Sequence, residues 1–136
     1  MKVATTTERP VAAAMITRPT THDPEVGLHT IRAFFEDSHV HMALIVARDG
    51  RLVTAIERAD LAVAGANSRP VSRLGTLTGR TVGPADPLTT TTAALLRQGR
   101  RRLAVIDQSG RLIGLLCLKK DGTGFCSDDD IRARRG

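Results

Sequence analysis

Met42-Ala-Leu-Ile-Val-Ala-Arg-Asp-Gly-Arg-Leu-Val53 returns, little changed, as Arg102-Leu-Ala-Val-Ile-Asp-Gln-Ser-Gly-Arg-Leu-Ile113. Gly50 maps onto Gly110, an offset of 60 residues. Each stretch is an apolar run, a polar turn carrying glycine, and a second apolar run, which is the pattern of a hairpin of buried strands. Upstream, Asp23-Pro24 returns as Asp86-Pro87 with an offset of 63. That pairing predicts a helix start in each copy and three extra residues between helix and hairpin in the first. A period near 60 is too long for a solenoid repeat. Two copies of one α/β unit fit it, each too small to bury a good core alone.

Working outward, residues 1–10 read as a flexible arm and Val11 to Ile16 as a short apolar turn. Thr20-Thr21-His22 is extended, because β-branched residues favour strand. Asp23-Pro24-Glu25 then reads as a helix start, with aspartate as cap, proline in the first turn and glutamate at the positive end of the dipole. Leu28, Ile31, Phe34 and Phe35 give that helix one apolar face, ending near Ser38. Strands are expected over 42–47 and 52–56, and a second helix from Arg58 to Ala64. In the second copy a helix follows Asp86-Pro87, capped by Gly99, and strands cover 103–107 and 112–116. Four threonines at 89–92 are poor helix formers, so that helix must rely on packing. The units are 11–64 and 74–121, joined by a linker at 65–73. A turn and short helix fill 122–136, the helix running from about Asp128 to Arg135.

Composition narrows the class. No apolar run approaches the length of a membrane span, and the first residues lack the apolar centre of a signal peptide, so a soluble cytoplasmic protein is expected. With only three phenylalanines and no Trp or Tyr, the core must be aliphatic. Two cysteines, Cys117 and Cys126, make no disulfide framework and are expected to stay reduced in that compartment. A redox pair across a turn is the other reading. The net charge of +6 permits an anionic partner without naming one.

The order β-α-β-β-α, written twice, resembles a pair of CBS domains, the arrangement called a Bateman module. The resemblance covers roughly residues 11–121. It is carried by Leu103-Ala-Val-Ile-Asp107, Gly110-Arg-Leu-Ile-Gly114, Gly50-Arg-Leu-Val53 and Asp60-Leu61. It implies an α+β fold in which two units pack sheet to sheet about a pseudo-twofold axis. It further implies a non-enzymatic regulatory module, often a homodimer, that holds an adenosine-containing nucleotide such as AMP, ADP, ATP or S-adenosylmethionine between the units. No cofactor is required and the protein partner is unknown.

The family's segment after the hairpin reads roughly Gly-apolar-apolar-Thr-x-x-Asp, and its aspartate accepts the ribose hydroxyls. Here Thr54-Ala55-Ile56-Glu57-Arg58-Ala59-Asp60 keeps the aspartate, but Glu57 replaces the hydroxyl residue. An ionised carboxylate taking two hydrogen bonds from a diol is a strong contact. The alternative for Asp60 is an exposed acid near a helix start. In the second copy Lys120 stands at Asp60 and Cys117 at Glu57, with Asp121 one residue late, so the two clefts are not expected to be equivalent. Lys119 and Lys120 are either phosphate contacts or solvated charges.

His41 aligns with Arg101, a position from which the family often sends a basic side chain towards phosphate. Thr20, Thr21 and Val82 lie in the lead-in strands, where relatives touch the base through backbone groups. Ala43 and Leu44 either line the base pocket or simply pack the core. His39 and His41 share a strand face without an evident third ligand, so no metal site is expected. Two readings stay open beside the nucleotide sensor. One is a degenerate pair with empty clefts that serves protein association. The other is nucleic-acid binding through Arg100-Arg101-Arg102 and Arg132-Ala-Arg134-Arg135, against which stands the lack of Trp or Tyr for stacking. No catalytic motif appears, so an enzyme is not expected.

Overall fold

A computed structural model describes residues 9–64, 70–120, 122 and 124–127. The first unit runs β1 (Thr21–His22), α1 (Leu28–Phe34), β2 (Met42–Val46), β3 (Leu52–Glu57) and α2 (Arg58–Ala64). The second runs β4 (Thr81–Val82), α3 (Leu88–Gln98), β5 (Arg102–Ile106) and β6 (Leu112–Cys117). Each forms its own three-stranded sheet, in the orders β1-β2-β3 and β4-β5-β6. In both, the first pair is parallel and the second antiparallel.

The register repeats as well as the order. Thr21 faces Leu44 and Thr81 faces Ala104; Met42 faces Glu57 and Arg102 faces Cys117. Even the bulge recurs, at Ile45/Val46 and at Val105/Ile106. Alternation then sorts the side chains. Ala43, Ile45 and Ile56 face α1 and α2 together with Leu28, Ile31 and Leu61. Leu103, Val105 and Leu116 face α3 with Leu88 and Leu95. The opposite sheet faces meet between the units, where Met42, Leu44, Leu52, Ala55 and Ala104 are buried. The two hairpin turns also pair, through Leu52 N–H to the Gly110 carbonyl and Leu112 N–H to the Gly50 carbonyl.

The segment leading into each unit crosses over to the other. Val11 is buried in the second unit's core, and its amide donates to the Asp86 carbonyl. Ile16 exchanges both backbone bonds with Leu115. An added Cβ on Gly114 would stand 2.8 Å from the Ile16 carbonyl oxygen, so glycine is what lets this strand approach. Reciprocally, Val71 and Leu74 complete the first unit's core, and the Thr76 amide donates to the Ala55 carbonyl.

Four expectations need correction. Asp23-Pro24 does not open α1: the Asp23 side chain accepts from the Glu25 amide and its carbonyl from Val26, so the dipeptide is spent on a turn. The helix begins at Leu28, matching Leu88 at the common offset, and the three extra residues therefore do not exist. It also ends at Phe34 rather than near Ser38. The cysteines are not reduced thiols: Cys117 and Cys126 form a disulfide. Beyond β6 the chain turns back at Gly122 so that Leu118 pairs with Phe125, and the Cys126 amide donates to the Cys117 carbonyl. This brings the two Cα atoms to 5.3 Å, within bridging range. The short helix expected at 128–135 lies outside the described residues, as does most of the expected linker.

Candidate functional site

Two clefts lie between the units, related by the same offset. The first has a volume of about 200 Å³. Thr20 just before β1, Met42 and Leu44 of β2, and Leu115 and Cys117 of β6 line it, with Ile16, Pro19 and Phe34. Asp37, His39, His41 and Arg102 supply its polar groups. Apolar walls with a few polar groups suit a small organic molecule.

The second cleft differs at every matching position. Arg80 stands where the first has Thr20, and its side chain is 9% exposed. Its guanidinium donates to the Ala55 carbonyl at 2.8 Å and to Asp60 Oδ2 at 2.6 Å and Oδ1 at 3.3 Å. It also pairs with Glu57 at 3.1 Å. Asp60 in turn accepts the Glu57 amide, the reciprocal bond of a capping box at the start of α2. Burial pushes the Asp60 carboxyl up, but the bonds from Arg80 and the Glu57 amide, with the Arg80 and Arg100 charges, outweigh it and hold the group below its usual value. Outside this plug the cleft opens into a basic basin of about 360 Å³ bordered by Arg58, Arg100, Arg101 and Arg102.

His41 borders both clefts and meets its counterpart Arg101 across the axis at 2.5 Å. Burial, then the charges of Arg102, Arg101 and Arg58 and the neighbouring His39, push its pKa down to about 4. His41 is therefore neutral near pH 7 and accepts from Arg101. The other arginines are engaged inside the fold. Arg58 donates to the carbonyls of Phe35, Asp37 and Val40, and Arg102 to those of Arg101, Leu118 and His39. Arg100 holds the Gly79 carbonyl and the Glu57 carboxylate. Residues 132–135, the other arginine cluster, lie outside the described residues.

The candidate residues divide accordingly. Thr20, His41 and Leu44 meet at the first cleft, while Glu57, Asp60 and Arg101 belong to the second. Ala43 and Val82 face the helix-side cores instead, one residue out of phase with the clefts. Thr21 is exposed on β1, and Lys120 is exposed beyond β6. Asp121 lies outside the described residues. Among those residues no group of three or more His, Cys, Asp or Glu could hold a metal. No helix among them is long and apolar enough to cross a membrane. Arg80 escaped the sequence reading, although the offset of 60 sets it opposite Thr20 and so exposes the exchange of a small neutral side chain for a long cation.

No protein-family model and no curated protein matches the sequence. Solved structures do match. CBSX2 in complex with AMP is 20% identical, over 93% of this chain and 96% of that one, with a TM-score of 0.68. The CBS domain pair of MJ0100, in complex with 5′-methylthioadenosine and S-adenosyl-L-methionine, is 18% identical over 95% and 97%, with a TM-score of 0.66. A CBS domain protein from Pyrobaculum aerophilum, complexed with AMP, is 21% identical over 79% and 86%, with a TM-score of 0.62. At these identities the likeness is one of fold, and that fold is the CBS-domain pair.

Proposed function

We propose that this chain is a non-enzymatic regulatory module that binds an adenosine-containing molecule in the Thr20 cleft. The observation that carries the reading is the cleft itself: about 200 Å³ between Thr20, Leu44 and Leu115, at the junction of two units whose packing a ligand there would bias. Three similar folds are complexed with AMP or with adenosyl compounds, which supports the ligand class. The base would lie among Ile16, Phe34, Leu44 and Leu115. Arg102 in the lining favours an anionic or polar tail. With Cys117 and Lys120 in the places of Glu57 and Asp60, this cleft offers no carboxylate at the position of Asp60, so recognition rests on the base and the tail more than on the ribose. Assembly as a homodimer, with a partner protein reading the change, completes the proposal.

Isothermal titration calorimetry with AMP, ADP, ATP, 5′-methylthioadenosine and S-adenosylmethionine tests it. Binding tighter than about 1 mM, equivalent to 4.1 kcal/mol, is expected for at least one. Leu44→Trp, which fills the cleft, should abolish it. Silence from all five at millimolar concentration refutes the reading. One observation favours the second reading, an association module without a small ligand: Arg80 closes the inner end of the cleft that holds Asp60. A concentration-dependent mass in sedimentation, unaffected by any of the five compounds, is its expected signature.

A further inference from the structure

We infer that Arg80 sets the stoichiometry of the pair: its guanidinium closes the inner end of the second cleft, so that an adenosine-type ligand enters the Thr20 cleft alone. The ligand class rests on the reading above; the closure rests on geometry. In the first cleft, open volume separates Thr20 from Leu115 and Cys117. In the second, the matching residues Arg80 and Ala55 are joined by a 2.8 Å hydrogen bond. The guanidinium reaches both Asp60 oxygens and one of Glu57. A vicinal diol would need those same Asp60 oxygens. It is a neutral donor pair competing with a charge-assisted, two-point bond, and the cation is the stronger partner.

The displaced Arg80 would have no better place to go. It is buried, and the partners its guanidinium has among the described residues, Ala55, Asp60 and Glu57, all belong to this site. The exchange of residues is also concerted. Arg80, Glu57 and Asp60 occupy one cleft, where Thr20, Cys117 and Lys120 occupy the other, so the cation of the second cleft comes with two carboxylates that the first lacks.

Calorimetric titration of AMP and S-adenosylmethionine into the wild type, Arg80→Thr and Arg80→Thr/Glu57→Thr tests the inference. Arg80→Thr gives the second unit the residue that the first already has. The double variant also removes the acid that would face Asp60 once the guanidinium is gone, and it serves where Arg80→Thr alone does not fold by circular dichroism. Expected is a single equivalent for the wild type and one further equivalent for the folded variant, the gain lost again when Asp60→Ala is added. A folded variant that binds no more than the wild type overturns the inference, whatever the wild type binds. Two equivalents on the wild type overturn it too. A silent wild type with a variant that gains one equivalent refutes the Thr20-cleft reading and upholds the closure of the second cleft by Arg80.

Discussion

Removing the Asp60 carboxylate should cost folding stability, and the size of the loss follows from what it holds. Arg80 is 9% exposed at the side chain and Asp60 22%, so the pair is largely out of water. Breaking a buried pair from one side costs about 3–5 kcal/mol when the surviving charge is uncompensated. Here Glu57 remains 3.1 Å from the guanidinium and the Ala55 carbonyl 2.8 Å, so about 2 kcal/mol is the better expectation for that part. Asp60→Ala also removes the bond to the Glu57 amide at the start of α2, for about 1 kcal/mol more. The total is about 3 kcal/mol. Arg80→Leu removes the cation, and once it is gone Asp60→Ala should cost only the capping term. The coupling in a double-mutant cycle is then about 2 kcal/mol. Urea unfolding followed by far-ultraviolet circular dichroism is the assay, since the chain has no Trp or Tyr to report by fluorescence. Single variants whose losses add within about 0.5 kcal/mol would refute the account, because the pair would then be no pair.

Three further outcomes are expected. The His41 pKa lies near 4 in the folded protein against 6.5 in the unfolded chain, so the unfolded state binds more protons between those values. Stability should therefore climb as pH rises from 4 to 6.5 and level off above; a His41→Gln variant whose slope over that window equals the wild type's would contradict this. Gly114→Ala sets a methyl group against the Met15 sulfur and the Ile16 carbonyl, which should pry the segment from Val11 to Ile16 off β6 and expose both residues. A loss of about 2–4 kcal/mol is expected, read as a lowered urea midpoint, and an unchanged midpoint would argue against the crossover. Cys126→Ser opens a loop with a sequence separation of 9 and should cost about 2–3 kcal/mol under oxidising conditions and nothing under a dithiol reductant. Equal stability of the two proteins in air would show that the bridge does not form.

The duplicated hairpin was legible because it is written in local pattern: apolar runs, a glycine turn, and the same spacing twice. What depends on contacts across the chain was not. Asp23-Pro24 carries every local mark of a helix start, yet the matched burial of Leu28 and Leu88 decides where α1 begins. Ala43 and Leu44 look interchangeable as pocket residues, and only the strand register sends one to the helices and the other to a cleft. The disulfide depends on where the chain folds back at Gly122, which no cysteine count reveals. Asp60 was found by its likeness to a motif, but its occupant was not, because Arg80 comes from the other unit. Sequence distance of 20 residues hid a contact of 2.6 Å.

The traded lead-in segments have a consequence for how such a chain could arise and how it comes apart. Each unit borrows a patch of its interior from the stretch that precedes its sibling, so severing the link between them releases two bodies that each lack a lid. A lone unit with its own leading stretch would find that lid only on another molecule of itself. The tandem chain is thus a two-molecule embrace made permanent by a covalent link, and its halves should melt together.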